Sequence, residues 1–147
     1  MSVSAVTRRL GMAALAMALA VTAPACGNVK DLYTYSPTAV TYTETFSGTL
    51  DPGGTAFHPF AVSVAGTVKL TLTTVGPDSA LVLGFDIGTW DGTTCSPIFG
   101  SGLPSAVQGN AFSGSAIAAN FCARVYDGKA TIPADTQATY AIKVEHP

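Results

Sequence analysis

"FSGTLDPGGTAFHPFAVSVAGTVKLTLT", residues 46–73, decides the fold. It holds three extended runs separated by turn formers. The first closes at Leu50, before Asp51-Pro52-Gly53-Gly54. The second, Phe57 to Val64, places Phe60, Val62 and Val64 on one face. The third follows Ala65-Gly66 and alternates Val68, Leu70 and Leu72 with Lys69, Thr71 and Thr73. Successive side chains of a strand point to opposite faces, so this alternation predicts half-buried strands. The second and third runs are expected to pair as a hairpin across Ala65-Gly66. Pro59 has no N–H to give a ladder, which puts its end of the second run at a sheet edge or bulge.

The same period continues outward. Upstream, Thr41 to Leu50 is rich in Thr, Tyr and Phe. Downstream, Gly76-Pro77-Asp78 makes a turn, and Leu81, Leu83, Phe85 and Ile87 share one face of a strand ending at Gly88. Residues 101–120 are rich in Ser, Gly and Ala, with Val107 and Ala111 to Ile117 allowing one or two weak strands. In Phe121 to Tyr126, Phe121, Ala123 and Val125 point one way, and Cys122, Arg124 and Tyr126 the other. Asp127-Gly128 is a turn, and Thr139 to Glu145 turns Tyr140, Ile142 and Val144 inward. Seven or eight short strands without helical periodicity predict an all-β, antiparallel β-sandwich. Each large apolar side chain on the inner faces contributes about 1.5–3 kcal/mol on burial.

The N-terminus supplies an address. Arg8 and Arg9, the apolar stretch Leu10 to Val21 and the small residues Ala23-Pro24-Ala25 compose a secretory signal over residues 1–25. Twelve apolar residues fall short of the ~18–20 that span a bilayer. Cys26 stands where a bacterial lipoprotein carries its acylated cysteine; ordinary cleavage after Ala25 would instead leave it as a free first residue. Residues 26–40 are expected to be a lipid-anchored or flexible tether, and 41–147 the sandwich domain. The three cysteines support acylation, because lipidation of Cys26 leaves Cys95 and Cys122 as an even pair for a disulfide in an oxidising compartment. Two unrelated buried thiols are the alternative. After loss of the signal, five basic residues face nine acidic ones, net −4, without a basic run, which argues against nucleic acid.

The opening stretch, with "FCARVYDGKATIPADTQATYAIKVEHP" at residues 121–147, resembles the bacterial pre-peptidase C-terminal domain. The resemblance runs from residue 42 to 147. It rests on Phe46 and Gly48, Phe60 and Val62, Gly66, the segment Phe121 to Asp127 and the closing alternating strand. It implies a jelly-roll-like β-sandwich and a non-catalytic module of exported proteins, tied to secretion, localisation or substrate binding. Related domains bind calcium through clustered acids near their start. Glu44 and Asp51 are the only acids in that part of this chain, so no metal and no cofactor is expected.

Candidate sites are few. "GTWDGTTC", residues 88–95, holds the only Trp. Trp90 beside Asp91 suits a sugar, the ring stacking and the carboxylate accepting hydroxyl protons; a turn built by Asp91-Gly92, with Trp90 capping the core edge, is the plainer alternative. His58 would need Asp51 or Asp86 to orient it as a general base, and no Gly-x-Ser-x-Gly elbow offers a nucleophile. An edge-strand histidine is the simpler expectation. Arg124 is expected outward, paired with a carboxylate of a neighbouring strand, and Asp127 as a turn former. The sequence thus points to an exported binding or scaffolding module at the bacterial cell surface, periplasmic or outward-facing. It would have a protein or polysaccharide ligand and touch the membrane only through a lipid anchor. A carbohydrate-binding module and a small hydrolase are the alternatives.

Acylation is directly testable. A fatty-acid probe fed to a host with the lipoprotein pathway should label the wild-type protein, and Cys26→Ser should abolish the label. Equal labelling of the two, or none of either, contradicts the assignment.

Overall fold

A computed structural model describes residues 40–147; the expected signal, Cys26 and the expected tether up to residue 39 lie outside the described residues. Eight strands follow in order: β1 (Tyr42–Leu50), β2 (Thr55–Val62), β3 (Gly66–Gly76), β4 (Leu83–Trp90), β5 (Cys95–Ala106), β6 (Ala111–Ala116), β7 (Ala119–Tyr126) and β8 (Ala138–His146). They form two four-stranded antiparallel sheets, ordered β1-β8-β3-β6 and β2-β7-β4-β5. Only β4 and β5 are consecutive strands within one sheet. Every other connection crosses the sandwich, which is the wrapping of a jelly roll.

That wrapping corrects the expected hairpin. β2 and β3 lie in opposite sheets: β2 pairs with β7, and β3 with β8 and β6. Alternation demands only that Phe60 and Val62 on one strand, and Val68, Leu70 and Leu72 on the other, face the same core. Two strands facing each other across a sandwich satisfy this as well as hairpin partners do. Val64, assigned above to the inner face, lies past the end of β2 in the crossing and is exposed.

The core fills the layer between the sheets with, among others, Leu70, Leu72, Leu83, Phe85, Val125 and Ile142, all essentially inaccessible. On β3 the inward series runs Val68, Leu70, Leu72 and then Val75, because a bulge between Leu72 and Thr74 inserts one residue. β5 departs most from expectation. Its sequence, CSPIFGSGLPSA, has two prolines, two glycines and no alternation, yet it pairs with β4 along an outer edge, with two register shifts. An edge is where a strand tolerates residues that cannot donate to a ladder. Val107 falls beyond this strand and is exposed, as is Ile117 beyond β6.

Cys95 at the start of β5 and Cys122 inside β7 form the disulfide, with a Cα–Cα distance of 5.9 Å. The bridge passes over β4 at Gly88, the register partner of Cys122. A Cβ at Gly88 would lie 2.9 Å from each sulfur and 2.7 Å from the Ser96 carbonyl oxygen, so only glycine fits beneath it.

The two histidines lie between the sheets near their β1–β2 side. His58 has even parity on β2, like Phe60, and therefore points inward. Its Nε2 lies 2.8 Å from the Tyr140 hydroxyl of the opposite sheet, and its ring stacks on Phe46 at 5.0 Å. Asp51 and Asp86, the partners considered above, are engaged elsewhere: Asp51 accepts from Gln137 and Asp86 from Arg124. His146, nearly buried, places Nε2 2.9 Å from Glu44 Oε1 and packs against Phe60.

Replacing both Cys95 and Cys122 by Ala should cost about 3–4 kcal/mol, the loop-closure entropy for a separation of 27 positions. Urea unfolding measures this, and a loss below ~1 kcal/mol would show that the reduced chain is already constrained. His58 gives a pH dependence. Burial disfavours its imidazolium and holds its pKa below the usual value of about 6.5. Below that value the unfolded chain binds the proton more readily than the folded one. The His58 contribution is therefore complete above about pH 6.5 and is lost as the pH falls toward the folded value. Between pH 7.5 and 5, wild-type stability should fall more steeply than that of His58→Gln; equal slopes would contradict the assignment.

Candidate functional site

The two sheets present different outer faces. On β1-β8-β3-β6 the outward residues include Thr43, Thr45 and Thr49 of β1, and Lys69, Lys143 and Glu145 further in. Glu145 Oε2 lies 3.2 Å from Lys143 Nζ and 3.8 Å from Lys69 Nζ. This is an ordinary solvated face.

The outer face of β2-β7-β4-β5 is not. Because Leu83, Phe85 and Ile87 of β4 enter the core, Gly84, Asp86, Gly88 and Trp90 face out. β7 contributes Asn120, Cys122, Arg124 and Tyr126, and β2 contributes Phe57, Pro59 and Ala61. Register places Phe57, Arg124 and Asp86 in one row across three strands, and Pro59, Cys122 and Gly88 in the next. Phe57 is 47% exposed, and Phe99, where β5 bulges, is fully exposed.

Arg124 and Asp86 make a two-pronged contact. Arg124 Nε donates to Asp86 Oδ1 at 3.0 Å, and Nη2 donates to Oδ2. The guanidinium carbon lies 4.7 Å from the centroid of the Tyr126 ring, over its face. The hydrogen bonds to Asp86 are the main reason the Arg124 pKa rises further above its usual value. Burial, the largest influence on Tyr126, raises its phenol pKa. Gly84 makes room for that phenol, since a Cβ there would enter the ring. The ion pair floors an open groove of about 490 Å³, walled by Tyr126 and by Pro97, Phe99 and Pro104 of β5.

A second depression, about 440 Å³, lies toward the other end of the face, against Trp90, Asp91, Pro59, Ala61 and Asn120. Trp90 is half-buried and packs on Phe57, ring centroids 5.6 Å apart and planes tilted by 41°. Asp91 builds the turn after β4. Its Oδ1 accepts from the Thr93 and Thr94 amides at 2.8 and 2.7 Å and from the Thr93 hydroxyl at 3.0 Å. The Thr94 and Thr93 amides lower its pKa.

Of the sequence-derived candidates, Trp90 and Asp91 therefore share one depression, with Asp91 acting as turn former. Arg124 is outward and paired as expected, and its partner is Asp86. Asp127 does more than turn the chain: it is buried and accepts from the amides of Gly53, Thr131 and Ile132. Burial alone would raise its pKa, but these three amides and the Thr131 hydroxyl together more than offset that and hold it below the usual carboxylate value. Among the described residues no three His, Cys, Asp or Glu side chains converge. Phe57, Tyr126 and Phe99 were not singled out from the sequence, and Asp86 only as a partner for His58, a role it does not take. The signal that points to them is Gly84 and Gly88 flanking Asp86 inside a strand, because strand glycines mark close approach on that face.

The chain matches no protein-family model and no curated protein.

Proposed function

We propose that the protein is an exported, non-catalytic binding module of the bacterial cell surface, and that it binds through the outer face of β2-β7-β4-β5. The observation that carries this is the grouping of Phe57, Trp90, Tyr126 and Phe99 around a fixed Arg124–Asp86 pair, on one sheet only. Solvent-facing sheets are normally polar, and a patch of aromatics rimmed by polar groups marks a contact surface. The opposite face, with its threonines and lysines, is the internal contrast. The Cys95–Cys122 disulfide is compatible with an oxidising compartment. The non-catalytic part is supported by the engagement of both histidines within the sandwich and of Asp86 with Arg124. Kinship with the pre-peptidase C-terminal domain is part of the proposal, supported by the eight-stranded sandwich and the residues of 46–73 and 121–147. Anchoring through Cys26 would hold the module at its site of action; anchors of this kind need more than one acyl chain, since a single chain binds marginally.

The test is co-sedimentation of the exported Cys26→Ser protein with delipidated envelope material from a bacterial host. Phe57→Ala with Trp90→Ala should raise the apparent Kd for retention at least about tenfold, a loss of ~1.4 kcal/mol. Thr45→Ala with Lys143→Ala, on the other sheet, should leave retention unchanged. Equal retention of wild type and the aromatic double variant would reject the face.

A further inference from the structure

We propose that the ligand of this face is a neutral polysaccharide, read through its ring faces and its free vicinal hydroxyls along β4 and β7. The inference rests on the binding-face reading above and names the class of ligand.

The chemistry on the face is of two kinds, placed side by side. Exposed aromatic surface from Phe99 and Phe57, with the half-exposed Trp90, offers planes for the C–H side of a pyranose ring. Between them stands a pair that both donates and accepts. Guanidinium has five N–H donors, and Asp86 takes two from Arg124. The carboxylate has about four lone-pair sites, of which Arg124 occupies two. The pair thus presents unspent donors next to unspent acceptors. Two adjacent hydroxyls on a sugar, each donor and acceptor at once, match that arrangement.

Charge decides against the anionic alternative. Asp86 neutralises Arg124, and no other Lys or Arg lines either depression. The second depression adds the carboxylate of Asp91, whose Oδ2 receives no hydrogen bond from the described residues. A phosphate, sulfate or uronate would meet Asp86 as it met Arg124. A neutral sugar meets no such repulsion.

Dimensions favour a chain over a single sugar. Asp86 and Trp90 are four residues apart on β4, which offsets the two depressions along the strand by about 13 Å at ~3.3 Å per residue. Pro59, Cys122 and Gly88 share the row between them. A linear oligosaccharide of several rings can reach both. The site is also prepared in advance: Asp86 and the Tyr126 ring fix the guanidinium, and Phe57 packs on the indole. That saves ordering entropy on binding.

Trp90 is the only tryptophan, so its fluorescence reports occupancy of one depression directly. The full mature chain in detergent micelles is titrated with cellohexaose, xylohexaose, β-1,4-mannohexaose and chitohexaose, and with polygalacturonate and heparin, by fluorescence and calorimetry. At least one of the three diol-bearing hexasaccharides should bind and shift the Trp90 emission. Chitohexaose, whose inner rings lack a free vicinal diol, and the two polyanions should bind at least tenfold more weakly. Phe99→Ala, at a fully exposed position, and Arg124→Lys, which keeps the charge but loses the fork, should each weaken binding at least tenfold with the thermal midpoint retained.

No binding by the diol-bearing sugars, equal binding by chitohexaose, preference for the polyanions, or indifference to both variants overturns the inference. Periodate, which cleaves vicinal diols, should also abolish retention on envelope material. Retention that survives periodate but not protease points to a protein ligand and overturns the polysaccharide. If the sugars fail while retention stays sensitive to Phe57→Ala with Trp90→Ala, only this inference falls. If retention is insensitive as well, the binding face falls with it.

Discussion

The pleat of β4 is the constraint on which the rest depends. Leu83, Phe85 and Ile87 enter the core, at about 1.5–3 kcal/mol each, and that fixes the parity of the whole strand. Gly84, Asp86, Gly88 and Trp90 must then face outward. A slip of one residue would expose the three apolar side chains and carry Asp86 into the sandwich, where an unpaired carboxylate is strongly unfavourable. Core burial on one side therefore sets the position of the polar and aromatic groups that β4 carries on the other. The glycines use the same parity: Gly84 admits the Tyr126 ring from β7, and Gly88 admits the disulfide that joins β5 to β7.

The Arg124–Asp86 pair contributes orientation more than stability. Its side chains are 27% and 12% exposed, so water screens part of the attraction, and pairing must first offset the desolvation of both ions. What the two-pronged geometry supplies is a guanidinium held in one plane over Tyr126. The polar contacts between the sheets behave differently. The His58–Tyr140 hydrogen bond and the Glu44–His146 pair satisfy polar groups at the rim of the core, where the sandwich closes beside β1 and β2.

The sequence was most informative where burial is one-sided. β1, β4, β7 and β8 alternate cleanly, as does β3 up to the bulge after Leu72, and the inward residues there are the ones the alternation picks out. The partner of β2 was not legible, since facing strands and paired strands obey the same parity. The Trp90–Asp91 turn was legible because Asx chemistry is local: the carboxylate reaches amides two and three residues ahead. Arg124 could be placed outward from period alone. Its contact with Asp86 spans 38 positions and needs β7 and β4 in register, which no local pattern encodes.

β5 shows why the least legible element shapes the groove most. Pro97, Gly100, Gly102 and Pro104 erase the alternation by which a strand is recognised. On an edge the same residues help to prevent pairing with another chain, since proline withholds donors and register shifts twist the strand away. They also let the strand leave the plane of the sheet. Gly100 adopts φ +77°, a conformation that side chains disfavour, at the point where Phe99 stands clear of the surface. Gly102 allows β5 to return directly against Asp86, where a Cβ would collide with the β4 backbone. Irregularity here protects an open edge and raises one wall of the groove beside the ion pair. Restoring regular alternation to β5 would make it easier to recognise as a strand, while flattening the surface from which Phe99 projects.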